Sequence, residues 1–329
     1  MKPERYAHVL SFALTHPWNL EPTMLAMLAG ILARHIAGVD SRAEIDAALV
    51  NRASLPQPKA GSVAIIPVYG VIAPRMNLFS EMSGGTTFEK LSRQLRAAMA
   101  DETVKTIVLD INSPGGSVAG NPEFAAEVLA ARHIKPILAQ AQFTMGSAAY
   151  HLGAAATKVY AAPSARVGSI GVYGIHDDLS AALEKLGVKR RYLSAGEGKV
   201  DGNETGPLSP EAEARLQKAI DEAFAQFVGN VVHGRGKGMT PERVTKDWKA
   251  HVYGAEEALS LGMIDGIATL DQTITRVLTA GDAADQRAAL TFGSIDDPPH
   301  EPGRATGADR AADLAWQHRI ERELLDLDF

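Results

Sequence analysis

Phe143-Thr144-Met145-Gly146-Ser147-Ala148-Ala149-Tyr150 is the stretch on which the reading of this chain turns. Before it, Pro136-Ile137-Leu138-Ala139 is a short apolar run of the kind that forms a buried strand. Behind it, the small-residue run from Ala148 to Ala156 reads as a helix. Ser147 therefore stands at a strand-to-helix junction with a glycine before it. The first N–H groups of a helix have no partner inside the helix and carry partial positive charge. That suits a hydroxyl whose attack on a carbonyl produces an oxyanion. Serine is also a favoured helix cap, so the octapeptide by itself leaves both roles open.

The flanking segments repeat the same rhythm. Ser62 to Val68, Thr106 to Ile111, Lys158 to Ala161 and Val167 to Val172 read as strands, and Lys189 to Leu193 as extended chain. Between them lie helical stretches: one opened by Thr86 and Glu89 at capping-box spacing and running to Met99, one from Pro122 to Arg132, and one from Leu179 to Leu186 ended by Gly187. Alternation at these lengths predicts an α/β fold of stacked βαβ units with parallel pairing. From Ser209 the chain turns helical. Ser209 can cap and Pro210 fits the first turn, and Leu216, Ile220, Phe224, Phe227 and Val231 form one apolar stripe. Thr240-Pro241 opens a further short helix, and residues 255–278 add a helix, a strand and a last helix.

Three regions follow. Residues 1–61 are expected to be a helical arm and linker, with Trp18, Leu20, Met24, Leu25, Leu28 and Ile31 on one helical face and Pro56 and Pro58 in the linker. Residues 62–280 form the core. Residues 281–329 are expected to be a largely disordered acidic tail with a terminal helix from Asp309 to Leu327. The tail holds eleven Asp and Glu against five Arg and no Lys, so the whole net charge of −6 lies there and the other 280 residues balance.

Composition narrows the chemistry. With no cysteine, disulfides, thiolate catalysis and Cys-based zinc sites are excluded. The ten histidines show no metal-ligand spacing, and there is no GxGxxG or P-loop lysine, so no metal or cofactor is expected. No basic patch argues for nucleic acid. The N-terminus does not read as a signal peptide, and the apolar stretch Met24 to Ile31 is too short to span a bilayer. The expected location is cytoplasmic.

Two further stretches bear on Ser147. Ser113-Pro114-Gly115-Gly116-Ser117 leaves a buried strand, and its paired glycines let backbone N–H groups approach a ligand closely. An oxyanion-hole donor of this kind is worth about 3 kcal/mol; an ordinary βα turn is the plainer account. Lys199 lies in the glycine-rich loop Ser194 to Gly202. It reads as a surface lysine, or as a base if burial lowers its affinity for protons.

Together, Ser-Pro-Gly-Gly at 113–116, Met-Gly-Ser-Ala-Ala-Tyr at 145–150 and Val-Gly-Ser-Ile-Gly-Val at 167–172 resemble the signal peptide peptidase A family of serine peptidases. That family shares its fold group with the Clp protease proteolytic subunit and the crotonases. The resemblance covers roughly residues 62–278, and Lys199 falls 52 residues after Ser147, as the family pattern implies. The stretch His16-Pro17-Trp18-Asn19-Leu20-Glu21-Pro22 looks like the leader of the phage-borne members, the head-maturation proteases. The resemblance implies a Ser147/Lys199 dyad, an oxyanion hole from Gly115, Gly116 and Ala148, and Ser169 orienting the lysine. It also implies a protein or peptide substrate, a homo-oligomer that encloses the sites, and scaffold or capsid partners in the host cytoplasm or procapsid interior. Other readings stand beside it: a cellular peptidase that degrades signal peptides, a Clp-like Ser/His/Asp arrangement using His176 with Asp177 or Asp178, a crotonase-like enzyme binding an acyl-CoA, and a catalytically silent assembly protein.

Overall fold

Thr106 to Ser113 forms an inner strand of a largely parallel sheet, and its apolar residues face both ways. Ile107, Leu109 and Ile111 point into the main core, while Val108 points into a second cluster with Val63 and Leu138. Side chains alternate across a strand, so an unbroken apolar run marks a strand covered on both faces. The computed structural model describes residues 18–20, 62–75, 85–236 and 238–279.

In chain order, β1 is Trp18–Leu20, β2 Val63–Tyr69, β3 Ile72–Ala73 and β4 Thr86–Thr87. Helix α1, Phe88–Ala100, follows, then β5 Thr106–Ser113, β6 Gly115–Ser117 and α2 Asn121–Ala131. The long strand β7, Ile137–Gly146, leads into α3, Ala148–Ala154, then β8 Lys158–Ala161, β9 Arg166–Gly168 and α4 Ser180–Lys185. The longest helix, α5, is Pro210–Arg235. A π-helical turn at Arg243–Trp248 precedes β10 Val252–Gly254, α6 Ala255–Ser260, β11 Gly266–Ile267 and α7 Leu270–Thr279.

The main sheet runs β10-β9-β7-β5-β2, with β8 also beside β7 and β11 beside β8. All its pairs are parallel except β9 with β10. The strand–helix alternation therefore yields the stacked βαβ architecture expected. A second, small sheet has the order β1-β6-β3-β4, with β1 antiparallel to β6. Helices α1, α2, α3 and α5 contribute to the main core, and α7 covers the opposite face through Leu270 and Val277.

Several boundaries differ from the sequence reading. The cap of α1 is Thr87, whose Oγ1 accepts from Lys90 N at 3.1 Å, and not Thr86, which lies one residue further from the helix start at Phe88. The strand expected over 167–172 stops at Gly168, because Ser169 takes a φ of 57° that no strand accommodates. Ser209 does cap α5, accepting from Ala212 N at 3.2 Å. In the α5 stripe, Phe227 and Val231 are buried but Leu216 is 45% exposed, so only the C-terminal half docks on the core. At the N-terminus, Trp18 and Leu20 lie on strand β1, not on a helix. They are two residues apart, which is the strand period, and β6 supplies the backbone partners. The remaining positions of that expected face, the linker at 52–61 and the tail at 281–329 lie outside the described residues.

Candidate active site

The position of Ser147 follows from an irregularity in the pairing of β5 with β7. Ile111 pairs with Ala141, but Ser113 pairs with Met145, so β7 carries two extra residues across this interval. Such an insertion bends the strand and re-aims its end. It delivers Gly146 and Ser147 beside the β5–β6 turn: a Cβ added to Gly146 would lie 3.3 Å from Pro114 O. Ser147 itself has φ 53° and ψ −119°, outside the regions an L-residue favours. Its N–H donates to Gly168 O at 2.7 Å, and its carbonyl accepts from His151 N at 2.9 Å. Its side chain makes no cap bond to α3, so the helix-cap reading of this serine does not hold. The hydroxyl instead points to Gly171 O at 3.5 Å, and Ser147 is only 1% exposed. A strained serine whose side chain makes no cap bond, on an over-determined turn, is a pattern that clusters at reacting centres.

The glycine strand is equally constrained. Gly115 N donates to Ser113 Oγ at 3.2 Å, and Ser113 Oγ donates to Gly70 O at 2.6 Å. The Gly115 amide, one of the three oxyanion donors expected, is thus committed within its own turn. Gly116 pairs with Ile72 so closely that an added Cβ would fall 1.9 Å from Ile72 O. Only glycine fits there. Helix α3 packs against β6.

Ser169 joins this corner. Its N–H donates to His251 O at 2.7 Å, it is half-buried, and it is the residue after the Gly168 carbonyl that holds Ser147. Lys199 is not brought into the same place. It sits in a turn closed by its own N–H to Gly196 O at 3.4 Å, with an exposed side chain. His176 is half-buried, and its Nε2 donates to Gly206 O at 3.0 Å, while Asp177 and Asp178 are exposed.

A polar layer under Ser147 was not singled out from the sequence. His151, one helical turn after Ser147, is 2% exposed and stacks on Phe227 with ring centroids 4.5 Å apart. Its Nδ1 and Nε2 each lie 3.0 Å from the amide of Asn121 and of Asn230. Burial pushes its imidazole down to about 3, so the ring is neutral. A neutral ring accepts at one nitrogen and donates at the other. The available signal was one polar residue inside an otherwise small and apolar helix. Behind α3, Arg132 Nη1 donates to Ala155 O, Ala156 O and Gly234 O. Arg235 pairs with Asp265 at 2.9 Å, and Lys158 approaches the same carboxylate at 3.6 Å. Burial pushes the Asp265 carboxyl up, but Arg235, the Val159 N–H and Lys158 outweigh it and hold it below its ordinary range. Among the described residues, no group of three or more His, Asp or Glu could hold a metal, and no helix is long and apolar enough to cross a membrane.

These features define a class: α/β proteins that present a serine on a strained turn between a parallel strand and a helix, beside a glycine strand. The chain belongs to peptidase family S49, whose profile matches residues 130–283. It is 30% identical over 298 residues to capsid assembly protease C of Escherichia phage lambda, covering 85% of this chain and 67% of that protein. It is 28% identical over 290 residues to the head-tail preconnector protein GP5 of Enterobacteria phage P21, covering 83% of this chain and 57% of that protein. Protease 4 of Salmonella typhi is 31% identical over 222 residues, covering 67% of this chain and 35% of that protein. The chain thus spans two thirds of the lambda protein and less of the other two.

Proposed function

We propose that the chain is a serine endopeptidase that cleaves scaffold or capsid proteins during phage head maturation, with Ser147 as nucleophile and Lys199 as general base. The observation that carries the reading is Ser147 itself, held at φ 53° beside Gly116 and the first turn of α3 with its side chain free of any capping role. In the reaction the Ser147 Oγ–H loses its proton to neutral Lys199 as Oγ bonds to the substrate carbonyl carbon. The carbonyl oxygen becomes an oxyanion that accepts from the N–H groups of Gly116 and Ala148. Collapse breaks the C–N bond, the lysine returns the proton to the leaving amine, and water then releases the acyl group by the same steps in reverse. Ser169 orients the lysine amine.

A lysine base works when it is desolvated, and Lys199 is exposed on a single chain. The neighbouring segment exposes Ile175, Leu179, Leu186, Val188, Tyr192 and Leu193. A homo-oligomer that covers these side chains would bury Lys199 with them. The capsid setting is supported by the phage relatives, and in it the enzyme would act in the host cytoplasm or the procapsid interior; a cellular signal-peptide peptidase is the alternative suggested by Protease 4. His176 gives a second mechanistic reading, because it is half-buried and oriented by Gly206 O.

One set of variants decides between them. Ser147→Ala is expected to lower peptide hydrolysis by roughly 10⁴-fold or more with an unchanged fold by circular dichroism. Lys199→Ala is expected to do the same and His176→Ala to retain activity. A folded Ser147→Ala protein with full turnover ends the nucleophile assignment. Loss in His176→Ala with retention in Lys199→Ala transfers the base to His176. A lysine base also makes activity rise toward alkaline pH, since the amine must lose its proton to act.

A further inference from the structure

Strand β1 has an unusual place. It is three residues long, comes from more than forty residues before the core begins, and among the described residues is the terminal strand of the small sheet, paired with β6. The register sets Trp18 opposite Ser117, Asn19 opposite Gly116 and Leu20 opposite Gly115. The residues it covers are therefore the glycine strand of the candidate site. Its direction matters as well: running antiparallel, β1 passes from Ser117 toward Gly115, that is, toward Pro114, which lies against Gly146. An extended peptide laid on β6 in this direction would advance toward Ser147 with the residues that precede its scissile bond paired to the glycines. An uncovered strand edge is a template for just such a peptide, which gains main-chain hydrogen bonds there. In the structure that edge is taken, and Ser147 is 1% exposed.

We propose that Trp18–Leu20 is an intramolecular occupant of the substrate edge of β6, and that a substrate backbone binds by displacing it. The inference rests on the reading of Ser147 as nucleophile for its catalytic consequence, but the occupancy itself is a statement about backbone pairing. Three residues form a short ladder, so the closure is reversible. Two backbone hydrogen bonds at their net strength correspond to about tenfold or more in an equilibrium constant. That is enough to hold the edge closed against a dilute peptide and weak enough for a concentrated or tethered substrate to open.

The test uses the full chain and its lack of cysteine. Opposed Cα atoms of an antiparallel pair fall within disulfide reach, so W18C/S117C is expected to crosslink on oxidation as the only disulfide in the protein. The oxidised form should react with a fluorophosphonate probe at least about tenfold more slowly than the reduced form, and reduction should restore the rate. Equal rates in the two forms, or failure of the folded protein to crosslink, overturn the proposal. Asn19→Pro fixes φ at the middle residue of this three-residue strand and removes its N–H, leaves Ser147 and Lys199 unchanged and should react faster than the parent, whereas Asn19→Ala, which keeps the backbone, should not. Binding separates this inference from the catalytic one. In a Ser147→Ala background, a synthetic peptide of residues 14–22 should bind the Asn19→Pro chain at least about tenfold more tightly than the chain with Asn19 intact. Equal binding overturns the occupancy. If the parent and reduced proteins never take up the fluorophosphonate, it is the assignment of Ser147 that fails, and the peptide titration still decides the edge.

Discussion

His151 is where single-residue physics makes the sharpest demand on the molecule. Its ring is enclosed by Phe227, Asn121 and Asn230, and burial pushes its imidazole down to about 3. A histidine in the unfolded chain titrates near 6.5. Its folded affinity for protons is depressed, so its contribution to stability is complete above about pH 6.5 and is lost as pH falls toward 3, at about 1.4 kcal/mol per pH unit. Urea unfolding midpoints are therefore expected to drop between pH 6.5 and 5, before most carboxylates protonate. His151→Gln should be less stable at pH 7 but show a flatter profile over that interval, so that the two curves converge. Parallel curves would mean that the ring is not buried neutral. None of this was legible in the sequence, because burial is a tertiary property and His151 looked like one residue of a small-residue helix. Ser147 was legible, since glycine before serine between an apolar strand and a helix can be read locally. Lys199 stood at the right spacing, but spacing says nothing about exposure.

At the scale of elements, α3 follows Ser147 directly and packs against β5, β6 and β7, and α5 packs on it. A Cβ built on Gly234 would lie 2.2 Å from Ala154 O, at the end of α3. Replacing a helix-interior glycine by alanine ordinarily favours the helix by up to about 1 kcal/mol. Here the obstacle is backbone, which cannot rotate aside, and overpacking of this kind costs about 1–3 kcal/mol. Gly234→Ala is thus expected to lower stability, read as a reduced urea midpoint at unchanged slope. The neighbouring ion pair makes a larger demand. Arg235 has a side chain only 8% exposed, and Asp265 neutralises it. Asp265→Asn leaves that charge buried and unpaired, which costs about 3 kcal/mol. The same measurement checks it, and a loss below about 1 kcal/mol would mean that water reaches Arg235. The elements themselves were mostly legible, because strand and helix periods differ and caps such as Ser209 are local. The misreadings came where pairing with a distant strand decided the outcome. Trp18 and Leu20 fit a helix spacing and a strand spacing alike, and β6 selected the strand. Thr86 and Thr87 both can cap and both pair with β3, and the helix begins at Phe88, which puts Thr87 at the cap.

At the scale of the whole molecule, one chain sets Ser147 beside the β5–β6 turn but leaves Lys199, the proposed base, on its surface. The charge of the chain makes a related division, since all of the net −6 lies beyond residue 280. Truncation after Ala280 is accordingly expected to spare hydrolysis of a small peptide and to reduce processing of an assembled shell; loss of small-peptide hydrolysis would place the tail in the active fold. The base requires a different completion. Leu193 is 88% exposed and Leu186 75%, on the segment that leads to Lys199. Apolar side chains exposed side by side on one segment mark a contact surface more often than chance scatter does. If a second copy covers them, association and catalysis are linked by mass action. Specific activity should then rise with protein concentration and fall on dilution, in step with the species seen by sedimentation. Leu186→Asp and Leu193→Asp place a charge in the contact without altering Ser147 or Lys199. Each is expected to shift the protein toward monomer and to lower peptide hydrolysis by about tenfold or more, as a loss of about 1.4 kcal/mol at the contact would do. A monodisperse monomer with full, concentration-independent activity would require Lys199 to reach Ser147 within one chain, by a rearrangement of the loop from Gly187 to Ser209.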